Sequence, residues 1–134
     1  MSWTEFLTKL DARLRNTRWS WGGVRGDGAV VLRVWQDRVR VIDGVRCVMV
    51  SHTAKHADTD SPGYAERLTH LDLVRAGATC YLVMCRAKDP ARQPREIAGF
   101  NRERVFVGGK VVEFEGNEYI EIADSIPAKN LLPK

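Results

Sequence analysis

Ser61-Pro62-Gly63-Tyr64-Ala65-Glu66-Arg67-Leu68-Thr69-His70-Leu71-Asp72-Leu73-Val74-Arg75-Ala76-Gly77, followed at once by Ala78-Thr79-Cys80-Tyr81-Leu82-Val83-Met84, decides the fold. A serine before a proline at the first helical position opens a helix, and Gly77 is a natural left-handed stop. Tyr64, Leu68, Leu71 and Val74 recur on one face, so the spacing predicts a helix over 62–77. The apolar run 78–84 has the composition of a central strand. A single helix running straight into a buried strand, with strand-like sequence on both sides, is an α+β pattern.

Upstream, Ser2-Trp3-Thr4-Glu5 reads as a capping box. Trp3, Phe6, Leu7, Leu10 and Leu14 then follow helical spacing, which predicts a helix through residue 15. Alternation predicts a strand meander over 18–51: Arg18-Trp19-Ser20-Trp21, Ala29 to Gln36, Val39–Ile42 and Val45–Ser51. Gly22 to Gly28 reads as a long hairpin turn, and Asp43-Gly44 as a tight one. The sequence predicts a polar loop over 52–63 and, with two prolines, another over Lys88 to Arg95. Short strands are expected near 96–100, 105–107, 111–115 and 119–122, completing the span 78–122, with 125–134 a docked or frayed tail. The expected architecture is one domain over residues 1–134: an N-terminal helix, a largely antiparallel sheet or half-open barrel, and one internal helix packed on it.

Composition narrows the class. Of 134 residues, 44% are hydrophobic and 28% charged, proportions of a folded globular chain and not of a disordered one. No apolar run reaches the roughly 20 residues needed to cross a bilayer, and the first residues lack the basic-then-apolar profile of a secretion signal, so no membrane and a cytoplasmic location are expected. Cys47, Cys80 and Cys85 are odd in number and each lies in an apolar stretch, which predicts reduced core thiols. The net charge is +4, and the basic excess falls in residues 1–110 while 111–134 is acidic. Fifteen of the 21 basic residues are arginine, whose planar fork suits phosphate oxygens and guanine edges. A basic body is compatible with a nucleic-acid partner.

Three constellations could carry chemistry. Arg18, Trp19, Trp21, Arg25, Arg33, Trp35 and Arg38 combine indole faces for stacking with guanidinium groups for phosphate. Against this stands core packing, where alternate strand tryptophans commonly sit. On the helix, Tyr64 adds a ring, Arg67 lies at the flank of the apolar stripe and His70 borders it; an internal ion pair is the competing role for Arg67. In the loop, His52, His56, Asp58 and Asp60 could ligate a metal or supply an acid–base pair, although a solvated loop accounts for them equally and no H-E-x-x-H pattern is present. No cofactor is called for: the glycine-rich turn lacks a Gly-Lys-Ser/Thr ending and leads into a strand.

The segment Ser61-Pro62-Gly63-Tyr64-Ala65-Glu66-Arg67-Leu68, the helix ending at Gly77-Ala78, the apolar strand and Arg95-Glu96-Ile97 together resemble the N-terminal recognition domain of modified-cytosine-dependent HNH restriction endonucleases. The resemblance spans about residues 61–107 and its motifs are loose. It implies a DNA-recognition module in a restriction-modification, defence or mobile-element setting. The nuclease finger of that family is absent here, so cleavage is not implied, and a protein partner would have to supply catalysis. The expected function is therefore a non-catalytic DNA-binding domain that recognises a modified or unpaired base. A metal-dependent hydrolase or nuclease on the His52–Asp60 loop, and a protein-interaction module or inhibitor, stay open as alternatives.

Overall fold

β2 (Val30–Trp35) and β5 (Cys80–Ala87) are nearly devoid of exposed side chains on either face, and they lie side by side. They pair in parallel, Val30 opposite Cys80 and Trp35 opposite Cys85. A strand buried on both faces belongs inside a sheet. In the computed structural model, which describes residues 1–52, 62–92 and 95–132, the strand order is β1-β2-β5-β7-β8-β4-β3, with β6 (Ile97–Phe100) attached to β5. The outer members are β1 (Gly22–Val24) on one side, and β4 (Val45–Ser51) and β3 (Val39–Ile42) on the other. β7 (Arg104–Phe114) and β8 (Asn117–Pro127) form the long hairpin between them. Apart from β2–β5 every pairing is antiparallel, so the expected α+β class holds.

The expected meander over 18–51 does not form. β1 pairs with β2 and β3 with β4, but β2 never pairs with β3. A single 3-10 turn, Gln36–Arg38, separates them. The reason lies in burial: Arg40 and Val41 of β3 face solvent, as edge residues do, whereas β2 carries Val30, Val31, Leu32 and Val34 to the interior. Residues 18–21 are not a strand either. Asn16 Oδ1 accepts the Arg18 N–H at 2.8 Å and the Ser20 hydroxyl accepts the Asn16 N–H at 3.0 Å, which folds the chain into a turn before β1. The first three residues expected in the glycine turn are β1 itself, leaving Arg25 to Gly28 as the turn, with Gly28 at φ +89°.

Two helices complete the structure. α1 (Trp3–Lys9) starts at Ser2, whose hydroxyl accepts the Glu5 N–H at 3.1 Å. It stops six residues short of the expected end. Asp11 takes φ +61°, with Ala12 N–H bonding the Leu7 carbonyl and Asp11 N–H the Thr8 carbonyl, a Schellman ending. Leu10, Ala12 and Leu14 remain buried although the helix has ended. α2 (Pro62–Arg75) closes in the same way around Gly77, at φ +111°. Its buried stripe is Gly63, Arg67, His70 and Leu71, so Arg67 lies at the centre of the packed face and not at its flank. The strands expected at 105–107 and 111–115 are one strand, irregular at Gly108. β8 extends to Pro127, and the tail docks as a 3-10 turn, with Ala128 buried and its N–H on the Glu103 carbonyl at 2.7 Å.

The two larger cores, beside a smaller one that gathers Ile42, Cys47 and Tyr119, lie on the two faces of the sheet. Phe6, Leu7, Leu10 and Leu14 cover Val31, Val83, Cys85 and Val105 on one. On the other, Val30, Leu32, Val34, Val48, Val50, Leu82 and Ile120 meet Leu71 of α2. The second core has a geometric consequence. β2 and β4 are four strand spacings apart in the sheet, about 19 Å if it were flat at roughly 4.8 Å per step. Yet the guanidinium of Arg67 donates to the Val50 carbonyl of β4 at 2.8 Å and to the Arg33 carbonyl of β2 at 2.7 Å. The sheet must curl until β2 and β4 face each other, with α2 lying along the seam.

Candidate functional site

Arg67 is 4% exposed, and its Nη2 donates also to the Trp21 carbonyl at 3.2 Å. A charged group in the interior needs partners, and here they are backbone carbonyls of β4, of β2 and of the residue before β1. Burial pulls its pKa down to about 9, with Arg33 nearby acting in the same direction, which leaves it charged at neutral pH. Above it runs a stack. Arg67 lies over the Trp21 ring at 5.8 Å, Arg33 lies between Trp21 at 5.7 Å and Trp35 at 4.9 Å, and Arg95 lies over Trp35 at 5.3 Å. Burial lowers Arg33 to about 10, and its Nε is buried with no hydrogen bond. Arg95 is held by Asp37 through two 2.7 Å bonds. Gly63 permits the stack to close: a Cβ there would stand 2.5 Å from the Trp21 indole and 2.7 Å from the Trp19 carbonyl oxygen.

The structure therefore brings Trp21, Arg33, Trp35 and Arg67 together, with His70 beside Arg67 on the buried face of α2, and gives the other expected residues separate surroundings. Trp19 is half-buried in the turn before β1, and Arg18 is exposed. Arg25 bonds the Leu10 and Leu131 carbonyls and Asp27, tying the N-terminal segment to the tail. Arg38 is half-buried, 3.9 Å from Asp37. Tyr64 is half-buried on the first turn of α2. His70 is buried and held neutral, its pKa lowered to about 4 first by burial and then by Arg67. Of the loop considered for metal, His52 is half-buried, and His56, Asp58 and Asp60 lie outside the described residues. Among the described residues no three His, Cys, Asp or Glu side chains gather. The cysteines are free and buried, and burial pushes Cys80 and Cys85 up to about 12, far from a nucleophilic thiolate.

A different place in the molecule is open. At one end of the curled sheet the second core gives way to a cleft of about 670 Å³, well within the size of ligand pockets. Its floor is apolar: Val39, Met84, Phe106 and Ile122 continue the second core toward solvent. Its walls carry Phe100, Gln36 and Asn101, and three arginines, Arg46, Arg86 and Arg102, line it as well. Strand alternation places two of them. Along β5 one face runs Cys80, Leu82, Met84, Arg86, from sealed core to mouth; along β4 it runs Val50, Val48, Arg46. Bare Gly99 lets the Arg86 guanidinium lie across β6, where a Cβ would be 3.3 Å from Nη2. Arg102 reaches over the Phe100 ring at 5.1 Å.

Among the described residues no carboxylate lies within 4 Å of Arg46, Arg86 or Arg102, as is also true of Arg13, Arg15, Arg18, Arg33, Arg67 and Arg104; what sets the three apart is that they gather at one cleft. The lining contains no acid. Positive charge at a concave, apolar-walled opening focuses its field on an anion. None of these three arginines stood out in the sequence, because each looks like ordinary strand-surface charge. The available signal was alternation, Arg46-x-Val48-x-Val50 and Leu82-x-Met84-x-Arg86, which ends each core-facing register in an arginine. Comparison with models of protein families, with curated proteins and with solved structures finds no match to this chain.

Proposed function

We propose that the chain is a non-catalytic nucleic-acid-binding domain, with DNA as its partner, whose cleft takes an unpaired base while arginines around it hold the flanking phosphates. The observation that carries this reading is the set of three arginines without acidic partners, from separate segments, around an apolar floor with Phe100 beside it. A base removed from its stack offers a flat apolar face with phosphates on either side, and that is the complement of such a cleft. Exposed Arg18 and half-exposed Arg38 are further phosphate contacts on this reading. Trp21, Trp35, Arg33 and Arg67 serve it indirectly, by holding β2 and α2 in place. The resemblance of residues 61–107 to a DNA-recognition domain supports the same conclusion, with any cleavage left to a partner.

Titration of a labelled single strand across salt tests it. At ~0.7 per contact on single strands, the three cleft arginines contribute about −2 to the log–log slope, and Arg18 and Arg38 up to about −1.4 more. The triple variant Arg46→Ala, Arg86→Ala, Arg102→Ala is expected to lose its share of that slope and to bind about 1000-fold more weakly at low salt, at roughly tenfold per charge-assisted bond. Wild-type protein that binds neither single- nor double-stranded DNA at low salt ends the proposal.

A further inference from the structure

We infer that the cleft selects bases whose major-groove edge carries only acceptors, O4 of thymine or uracil and O6/N7 of guanine, over cytosine and adenine, whose same edge carries the N4 or N6 amino group, with Asn101 as a fixed donor; this rests on the nucleic-acid reading above. The argument is an inventory of what the cleft's polar side chains can offer. Arg46, Arg86 and Arg102 carry only N–H donors. Asn101 would ordinarily offer both a donor and an acceptor, but its Oδ1 already accepts the backbone N–H of Glu103 at 3.0 Å and of Arg104 at 3.0 Å, closing the turn into β7. These two bonds fix the amide orientation, since a flipped amide would set its NH2 against two backbone N–H groups. The group Asn101 has left for a ligand is therefore its NH2. Its own N–H is on the Met84 carbonyl at 2.9 Å, which anchors the residue to β5 beside the floor.

Of the polar side chains lining the cleft, Gln36 alone can turn an acceptor inward. A base edge entering here meets donors on nearly every side. The O4 of thymine or uracil and the O6 and N7 of guanine are acceptors and can be satisfied. The N4 amino group of cytosine and the N6 amino group of adenine are donors. Placed against Arg and Asn N–H groups they would be desolvated without a partner, which is the costly arrangement for a buried polar group. The preference runs against cytosine, the base associated with the family that residues 61–107 resemble, so it follows from the side chains of the cleft and not from that likeness.

Uracil and cytosine are alike in size and differ at position 4 and in the protonation of N3, so oligo(dU) and oligo(dC) of equal length form the decisive pair. Uracil also lacks thymine's methyl group, which removes apolar contact with the floor as a cause of preference. At neutral pH and low salt the full-length protein is expected to bind labelled oligo(dU) roughly tenfold more tightly than oligo(dC), the discrimination of about one good base contact. In Asn101→Asp, Oδ1 keeps both backbone bonds while the outward NH2 becomes an oxygen. The added charge weakens both oligonucleotides, but their ratio is expected to fall to about one, with an unchanged circular dichroism spectrum. Equal binding of the two by wild-type protein, or tighter binding of oligo(dC), overturns the inference while leaving nucleic-acid binding intact. A ratio that survives Asn101→Asp overturns it too. Protein that binds no oligonucleotide at all overturns both this inference and the reading beneath it.

Discussion

Two groups of arginines in this chain differ by location and not by chemistry. Arg67 lies in the seam of the curled sheet, bonded to three carbonyls, and Arg33 is packed beside it between Trp21 and Trp35. Arg46, Arg86 and Arg102 stand at the open end of the same sheet with no carboxylate near them among the described residues. In the first group the Arg67 Nη atoms are bonded to backbone carbonyls and Arg33 is packed between two indoles, although both Nε atoms lack a hydrogen bond, so the group is committed to the fold. The second is exposed with its donors unengaged among the described residues, which is why it is the group assigned to the ligand. Arginine beside tryptophan is thus no sufficient sign of a binding surface. The useful sign is an exposed guanidinium at a concave opening whose lining holds no acid.

That contrast is most directly broken at Arg67. Arg67→Met keeps the aliphatic stem and removes every donor, leaving the Val50, Arg33 and Trp21 carbonyls without this partner in a buried seam. At about 1 kcal/mol or more for each unsatisfied group, a loss of roughly 3 kcal/mol is expected in urea unfolding. Arg86→Ala, by comparison, removes an exposed side chain with no acidic partner and should move stability by no more than ~0.5 kcal/mol. If Arg67→Met left stability untouched and abolished DNA binding, the two groups would have to exchange roles.

How far the sequence foretold these two regions follows from how local each one is. α2 and its stop at Gly77 were legible because proline, periodic leucines and glycine act within one helix. The β3–β4 hairpin around Asp43-Gly44 was legible for the same reason; both residues take positive φ. The turn at 16–20 was misread because Arg-Trp-Ser-Trp alternates like a strand, while the bonds that decide it come from Asn16 and Ser20. The parallel pairing of β2 with β5 joins residues fifty apart, and no local pattern encodes it. The cleft inherits that difficulty. Arg46 and Arg86 become neighbours only after the sheet has curled, which depends on Arg67 bridging two strands distant in the sheet.

His70 sharpens the comparison from the buried side. Its folded-state pKa is depressed to about 4 from an ordinary 6.5, so the unfolded chain takes up the proton more readily. The stability linked to neutral His70 is complete above pH 6.5 and is lost as pH falls from there toward about 4. At ~1.4 kcal/mol per pKa unit the loss at the low end approaches 3 kcal/mol. Glu66, whose carboxyl is raised chiefly by burial, acts in the opposite sense from about its ordinary value upward and blunts the total. The difference between wild type and His70→Gln removes that background. Unfolding measured from pH 7 to 5 should show a shallower slope in the variant. Parallel curves would mean that His70 is wetter than its 6% exposure implies.

The smallest effect probes the border between the regions. Arg95 sits over Trp35 at the end of the buried stack, yet its guanidinium also bonds the Pro90 carbonyl at 3.1 Å, and Pro90 shares a hollow with Gln36 and Arg86 of the cleft. What assigns it to the structural group is Asp37, whose carboxyl it holds below the usual range. Asp37→Asn removes a partly exposed ion pair, which costs under ~1 kcal/mol of stability. It also turns Arg95 into a guanidinium with no acid partner, beside the cleft. If lack of an acidic partner is what distinguishes the binding arginines, the variant should bind single-stranded DNA a few-fold more tightly than wild type, with the salt slope steepened by about 0.7. Unchanged affinity and slope would mean that position around the cleft, and not freedom from a carboxylate, decides which arginines meet the ligand.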